Sequence, residues 1–342
     1  MSVRDSFVRQ AQACLSLGSP FTARLCEVLA ERLDGTSRFG SRILDWQGDP
    51  VHAALPLRAA GGLHALARSG ASPQLQAVYP PDASDKDRLW AAIEGAIRNH
   101  DAFLAGYLDS APQTNEVARS GAILGACLHL AGRTGLPIDV YEIGSSAGLN
   151  LAFDRYRFDF GAAAWNGDSS VEIRSQWRGN APDTSQELLI GSRQGCDLNP
   201  LDPASARDRE RLLSYVWADQ EERLRRISQA LSLAAEARYR VERQGAAAWL
   251  VEKLRMPRER GRTRLLFHTI VWQYLDEDTK AGLVSAIFEA GDAATEDTPF
   301  AWLAIEPDDV PGSAGIGLTL WPGEQSMKLG RADFHGRWAE WA

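Results

Sequence analysis

Ile138-Asp139-Val140-Tyr141-Glu142-Ile143-Gly144-Ser145-Ser146-Ala147-Gly148-Leu149-Asn150-Leu151 decides the fold: a short apolar strand runs into small residues and then into an apolar-periodic helix. Gly144 lets the backbone leave the strand at angles a side chain forbids, and the small residues after it keep the approach open. Unpaired amides at the helix start can then face an anionic or polar ligand. Glu142 sits near the carboxyl end of the strand, the edge at which open α/β sheets bind ligands. An ordinary strand-to-helix turn has much the same local sequence, so the rest of the chain has to discriminate.

Two chemistries fit the turn. As Glu-x-Gly-x-x-x-Gly, residues 142–148 resemble the first motif of class I S-adenosylmethionine-dependent methyltransferases. That resemblance implies that Glu142, Gly144, Ser145, Ser146 and Gly148 hold the methionine end of the cofactor. As Gly144-Ser145-Ser146-Ala147-Gly148, the turn also satisfies G-x-S-x-G, the nucleophile elbow of α/β-hydrolases. Ser146 would be the nucleophile, with Glu306 and His335 following in the chain order of that fold. A hydrolase elbow normally follows several strands, whereas only helical patterns precede Ser146. The dinucleotide fingerprint needs glycine where Ser146 and Leu149 stand, and no lysine follows to make a P-loop.

Before about residue 135 the pattern is helical. Ser19-Pro20 starts one helix, Pro56 another that ends near Gly70, and Ser84 with Asp87 forms a capping pair ahead of Trp90, Ile93 and Ile97. Thr114 caps a further helix that stops at Gly132 and Gly135. From 136 onward apolar strand-like runs alternate with helical stretches. The strands fall at 138–143, 188–194, 238–243, 264–270, 300–306 and 316–321, and the helices at 147–156, 204–235, 245–255 and 277–290. Phe158 to Trp177, with Asn166-Gly167-Asp168 inside it, reads as an inserted hairpin, and Pro322-Gly323 as the turn of a closing antiparallel pair. The expectation is an α/β chain: a helical N-terminal cap over 1–135, then a Rossmann-like class I methyltransferase sheet, doubly wound and mostly parallel, over 136–342 with a hairpin insertion near 158–187.

The chain has 342 residues, 44% of them hydrophobic and 24% charged, with a formal net charge of −8. That balance disfavours a duplex nucleic-acid binder, which needs a concentrated basic surface. The arginine-rich run from Arg255 to Arg264 precedes an apolar segment and reads as a solvated loop. The N-terminus lacks the apolar core of a signal peptide, and no run approaches a membrane span, so the protein is expected in the cytoplasm. Cys14, Cys26, Cys127 and Cys196 show no C-x-x-C spacing, and H-E-x-x-H is absent, so no metal is suggested. The expected partner is a small-molecule substrate; the oligomeric state is open.

The methyltransferase reading makes further demands. An acid after the second strand should hold the ribose hydroxyls, and Gly195-Cys196-Asp197-Leu198-Asn199-Pro200 supplies Asp197, unless that residue only makes an Asx turn with Asn199-Pro200. At the third strand's end Gln244-Gly245-Ala246-Ala247-Ala248-Trp249 offers no carboxylate for the adenine, which leaves Gln244, backbone groups or the Trp249 face. The fourth strand places His268 at the cleft as candidate catalytic base, a residue type suited to proton transfer near pH 7; a core histidine satisfied by backbone groups is the alternative. Gln113, Asn115 and Glu116, with Tyr274, are candidate substrate contacts, although capping accounts for Glu116 as well.

Pro112-Gln113-Thr114-Asn115-Glu116, the turn at 142–151, Asp154-Arg155-Tyr156, residues 195–202, Val216-Trp217-Ala218-Asp219-Gln220, Phe267-His268-Thr269-Ile270-Val271-Trp272-Gln273-Tyr274 and Trp321-Pro322-Gly323 together resemble the bacterial domain of unknown function 2332 family. The resemblance covers nearly the whole chain and implies a Rossmann-like methyltransferase fold behind a helical N-terminal region, without fixing a reaction. Two functional alternatives stay beside the methyltransferase: the serine hydrolase, and a non-catalytic sensor that binds the cofactor without turnover.

Overall fold

The computed structural model describes residues 1–81 and 85–341. They form two compact units, one of Met1–Thr114 and Ala206–Ser228, the other of Asn115–Ser205 and Gln229–Ala342. In the first lie α1 (Val3–Ser16), α2 (Pro20–Arg32), α3 (Arg38–Leu44), α4 (Leu55–Arg68), α5 (Pro73–Gln76) and α6 (Lys86–Tyr107). Their apolar stripes meet in one core that includes Phe7, Leu25, Leu29, Phe39, Ile43, Leu55, Leu63 and Ile93. Pro20 and Pro56 sit in the first turns of α2 and α4, where a missing N–H costs nothing. Ser84 lies outside the described residues, and α6 is capped by Asp85, whose side chain accepts from Arg88 N at 2.8 Å. Ser19 does not cap α2 with its side chain. Its hydroxyl donates to Asp219 Oδ1, and the other oxygen of that carboxylate takes the Phe21 N–H at 2.8 Å.

The second unit opens with α7 (Ser120–Thr134), preceded by one 3-10 turn whose cap is Glu116 rather than Thr114. Its strands are β1 (Ile138–Ile143), β2 (Arg157–Asp159), β3 (Ala164–Asn166), β4 (Glu172–Ile173), β5 (Gln176–Gly179), β6 (Ile190–Asp197), β7 (Arg240–Arg243), β8 (Thr263–Thr269), β9 (Phe300–Pro307), β10 (Ala314–Trp321), β11 (Gln325–Ala332) and β12 (Trp338–Trp341). The large sheet has the order β5-β12-β11-β10-β9-β8-β1-β6-β7. From β7 through β9 every pairing is parallel. Counted along the chain these five strands stand 3-2-1-4-5, so the winding reverses between β1 and β8. β9 to β12 then form an antiparallel meander, which makes the sheet mixed. The expected α/β class and mostly parallel core are present, and the expected closing pair is the middle of that meander. Every residue of β1 and β8 is buried, as strands covered on both faces must be. α10 (Ala246–Arg255) and α11 (Glu277–Asp292) contribute Trp249, Leu250, Leu283 and Ile287 to a core shared with Tyr141, Ile143 and Leu266.

Three elements differ from the sequence reading. The helix expected at 147–156 is a 3-10 run, Leu149–Arg155, which follows Gly148 at φ +72° and is kinked at Ala152 (φ −96°, ψ 15°). The helix expected at 204–235 is two helices, α8 (Ala206–Ser214) and α9 (Glu221–Ala237), with Asp219 in the break turned toward Ser19 and Phe21. In the insertion β2 and β3 do pair as a hairpin, but the turn is 160–163 and Asn166-Gly167-Asp168 follows it. There Gly167 crowds the chain, since a Cβ would lie 2.3 Å from the Arg155 carbonyl oxygen. β5 leaves the insertion to pair in parallel with β12.

Asp219, in the break between the two helices, holds the start of α2 through both carboxylate oxygens. Asp219→Ala is expected to lower stability by about 1.5–3 kcal/mol, the range for hydrogen bonds to a charged group. Urea denaturation of the full chain measures it; a loss below ~0.5 kcal/mol, the scatter of ordinary surface changes, would mean the contact is incidental.

Candidate functional site

The two strands on either side of the reversal leave the sheet through strained backbone. After β1, Gly144 has φ +70°, Ser146 φ +53° and Gly148 φ +72°; after β8, Ile270 has φ +54°. Left-handed geometry is uncommon for serine and an outlier for a β-branched residue, with a cost of ~1–3 kcal/mol each. Local bonds hold both exits in place. Gly144 N and Ser145 N donate to Cys196 O at 2.9 and 3.0 Å, and Ile270 N donates to Ile305 O at 3.0 Å. The exits also touch: a Cβ on Gly144 would lie 2.6 Å from Val271 Cγ2, so this position is closed to any side chain. Gly195 is constrained likewise, its Cβ position lying 2.0 Å from Ser145 Oγ.

Most of the turn's amides are already engaged. Ser146 N donates to Asp197 Oδ2 at 2.9 Å, Gly148 N to Ser145 O at 2.7 Å, and Leu149 N to Asn115 Oδ1 at 2.9 Å. The turn therefore presents side-chain oxygens more than free N–H groups. Glu142 Oε2 and Ser146 Oγ are buried with no hydrogen-bond partner. Burial pushes the Glu142 carboxyl up to about 8; the Ser145 and Asn150 side chains oppose that rise, the Asp197 charge adds to it, and Arg119 opposes it. Arg119 is fixed by donating from Nη1 to Thr269 O and Oγ1, both at 3.1 Å, and Asn150 Oδ1 accepts from the Ser120 hydroxyl at 2.9 Å.

The other expected residues fall as follows. Asp197 lies at the end of β6 and makes the Asx turn, with Oδ1 accepting from Asn199 N at 2.8 Å, while Oδ2 holds the Ser146 amide. Asn115 and Glu116 are buried and serve the backbone, Glu116 Oε1 accepting from Ala118 N. Gln113 belongs to the first unit, and Tyr274 is exposed on the 3-10 turn after β8. Trp249 is fully buried against Tyr141, so its face is closed to an adenine ring. Glu242 on β7 is a carboxylate near the third strand's end, but it is paired with Lys253 at 2.7 Å.

His268 is 1% exposed, and both ring nitrogens are occupied. Trp302 Nε1–H, a donor only, points at His268 Nε2 at 3.0 Å, so the ring proton sits on Nδ1 and is donated to Glu306 Oε1 at 2.7 Å. With its acceptor lone pair taken, His268 is a positioning residue, and the expected role of catalytic base does not fit this geometry. Val271 N also donates to Glu306 Oε1, at 3.0 Å, which makes Glu306 the clamp on the strained β8 exit. Glu306 therefore orients His268 and not His335, whose backbone N–H goes to Asp333. The pairing of Glu306 with His268 and Trp302 was missed in the sequence. Its signal was present, since Trp302 and Glu306 lie an even number of residues apart and share a strand face. Among the described residues no group of three or more His, Cys, Asp or Glu could hold a metal ion, and no helix is long and apolar enough to cross a membrane.

Glu142 makes stability pH-dependent with a definite sign. Unfolded, its carboxyl ionises near 4.5; folded, it keeps the proton to about 8. Between those values the folded state binds the extra proton, so this group's contribution falls as pH rises, by up to about 1.4 kcal/mol per unit, and is fully lost above the folded pKa. Glu142→Gln cannot ionise. Its stability relative to wild type is expected to climb from pH 5 to pH 8 in denaturation curves, and a pH-independent difference would show that Glu142 ionises normally.

The family described as an uncharacterized protein conserved in bacteria (DUF2332) matches residues 4–341. No curated protein and no solved structure matches the chain. The matched span carries both strained exits, the clamp at Glu306 and nearly every residue of the two units; the chain belongs to the DUF2332 family.

Proposed function

We propose that the protein is an S-adenosylmethionine-dependent methyltransferase acting on a small molecule. The observation that carries this reading is the pair of buried, unpartnered oxygens, Glu142 Oε2 and Ser146 Oγ, at the exit of β1 beside the reversal of the sheet. A crevice outside the carboxyl ends of the strands at such a reversal is where open α/β sheets bind ligands. The residues fit the cofactor in a particular way. With the Ser146 and Leu149 amides spent internally, the turn suits the positively charged amino group of the methionine end better than its carboxylate. Glu142 and Ser146 would accept from that group, Gly144 and Gly148 let the backbone turn at positive φ around it, and Asp197, at the end of β6, is the carboxylate assigned to the ribose hydroxyls. The cofactor supplies a methyl group on a sulfonium centre, and the protein's part is to hold it, exclude water and position the acceptor.

A cationic group set against Glu142 favours its ionised form, so binding at pH 7 should expel a proton. Calorimetry in buffers of different ionisation enthalpy is expected to show S-adenosylmethionine binding with release of about one proton per site, and Glu142→Gln binding without it. No binding of S-adenosylmethionine or S-adenosylhomocysteine to folded protein at millimolar concentration removes this reading. It also removes the cofactor-sensor alternative, which differs only in lacking turnover.

Ser146 supports a second reading. Its left-handed backbone in Gly144-Ser145-Ser146-Ala147-Gly148, with a buried hydroxyl that has no partner, is what an elbow nucleophile would look like. A serine nucleophile also needs a base within hydrogen-bond reach, and no imidazole bonds to Ser146 Oγ among the described residues. An activated fluorophosphonate is therefore expected to leave Ser146 unlabelled. Stoichiometric labelling that disappears in both Ser146→Ala and His335→Ala would replace the methyltransferase with the hydrolase.

A further inference from the structure

Glu306 also holds an unpartnered oxygen, and its surroundings specify what would satisfy it. Oε1 is spent on His268 Nδ1 and Val271 N, while Oε2 is buried and accepts nothing. No lysine or arginine pairs with Glu306 among the described residues; its one charged-type partner is the imidazole. The group next to it is aromatic: His268 stacks on Trp272 at 5.0 Å and 21°, and Trp302 lies 6.0 Å from both rings. Indole faces attract cations and do nothing for anions. The carboxyl cannot turn away to find a donor elsewhere, because Trp302 fixes the ring that fixes Oε1. An immobile acceptor oxygen on the carboxylate that holds His268, a ring packed between Trp272 and Trp302 at the end of β8, calls for a group that carries both an N–H and a positive charge.

We propose that Glu306 seats a protonated primary or secondary amine, and that the small molecule bound there is an amine with an aromatic or other flat apolar portion to lie along Trp272 and Trp302. Only the further step, that this amine is the methyl acceptor, rests on the methyltransferase reading. A quaternary ammonium would satisfy the rings but leave Oε2 without a donor, and a carboxylic acid would be repelled by Glu306. The ligand class is therefore narrower than cations in general.

The test uses the full chain and phenethylamine as probe, with its N,N,N-trimethyl derivative and 3-phenylpropanoate as controls, by titration calorimetry or tryptophan fluorescence. Phenethylamine is expected to bind at least tenfold more tightly than the quaternary analogue, and the acid not at all. Glu306→Gln is the discriminating variant. Its amide oxygen can keep the bonds from His268 and Val271, while an NH2 replaces Oε2, so a tenfold or greater loss of amine affinity is expected at unchanged melting temperature. Should Glu306→Gln melt early, Trp272→Leu, on the half-buried turn after β8, gives the same reading through loss of the ring. The proposal is overturned if phenethylamine binds no better than 3-phenylpropanoate, or if its affinity is unchanged in folded Glu306→Gln; in the latter case Oε2 holds only a water molecule. Amine binding without any S-adenosylmethionine binding would keep the seat and sink the methyltransferase reading alone, and the reverse pattern would do the opposite.

Discussion

The contact on which the second unit's edge depends is that between Gly144 and Val271. Where β1 and β8 part, the space that any side chain at 144 would fill is already taken by a valine methyl. The two exits can come this close only because one is glycine, and the other reaches its position through Ile270 in a left-handed conformation. That conformation is unfavourable for a β-branched residue and persists because Ile270 N binds Ile305 O and Val271 N binds Glu306. Strain on one side and a missing side chain on the other are thus two halves of one packing requirement, located where the winding of the sheet reverses.

The same requirement explains which groups remain unpaired. A turn that spends its amides on Cys196, Asp197 and Asn115 has little left to offer a ligand from its backbone. What remains are side-chain oxygens whose geometry is already fixed: Glu142 Oε2, Ser146 Oγ and Glu306 Oε2. Buried acceptors without donors are rare in native proteins because they forfeit hydration without compensation. Their grouping on β1, its exit turn and β9 is what supports the proposed ligand-facing edge over an ordinary strand-to-helix turn. An acidic chain, with net charge −8, is consistent with a site that offers acceptors to a cationic ligand.

The central strands were readable because burial on both faces makes them nearly continuous apolar runs: β1 begins and ends where the apolar pattern does, and β8 differs by one residue at each end. What the pattern could not supply was backbone direction and pairing. Apolar spacing after Gly148 reads equally as an α-helix or as the observed 3-10 run, and the kink at Ala152 leaves no mark in that spacing. β5 and β12 are short and partly exposed, so each looks like loop until the other lies beside it. The turn at 142–148 and Asp197 could be picked out locally, since the strand-glycine-small-residue signature is contiguous. The role of His268 could not. An imidazole at a strand end reads as a base until its hydrogen-bond partners are counted, and both of those groups, the donor Trp302 and the acceptor Glu306, come from β9.

Strand periodicity constrains how two ligands could share this edge. Glu142 is in register with Phe267 on β8, and Phe267 with Leu303 on β9, so these three side chains lie on one face. His268 is in register with Ala304, and Glu306, two residues further, lies on that second face. The two unpartnered carboxyl oxygens therefore approach the end of β8 from opposite sides of the sheet. A cofactor held by Glu142 and an amine held by Glu306 would not compete for one surface, and they could meet only beyond the last residues of β8, where no strand separates the faces. That is where Ile270 turns the chain against its own preference. A relaxed residue there would let the strand run on or bend elsewhere, whereas the enforced turn ends the sheet between the two carboxyls. In the proposed reading, the strain at Ile270 is what opens the passage between cofactor and acceptor.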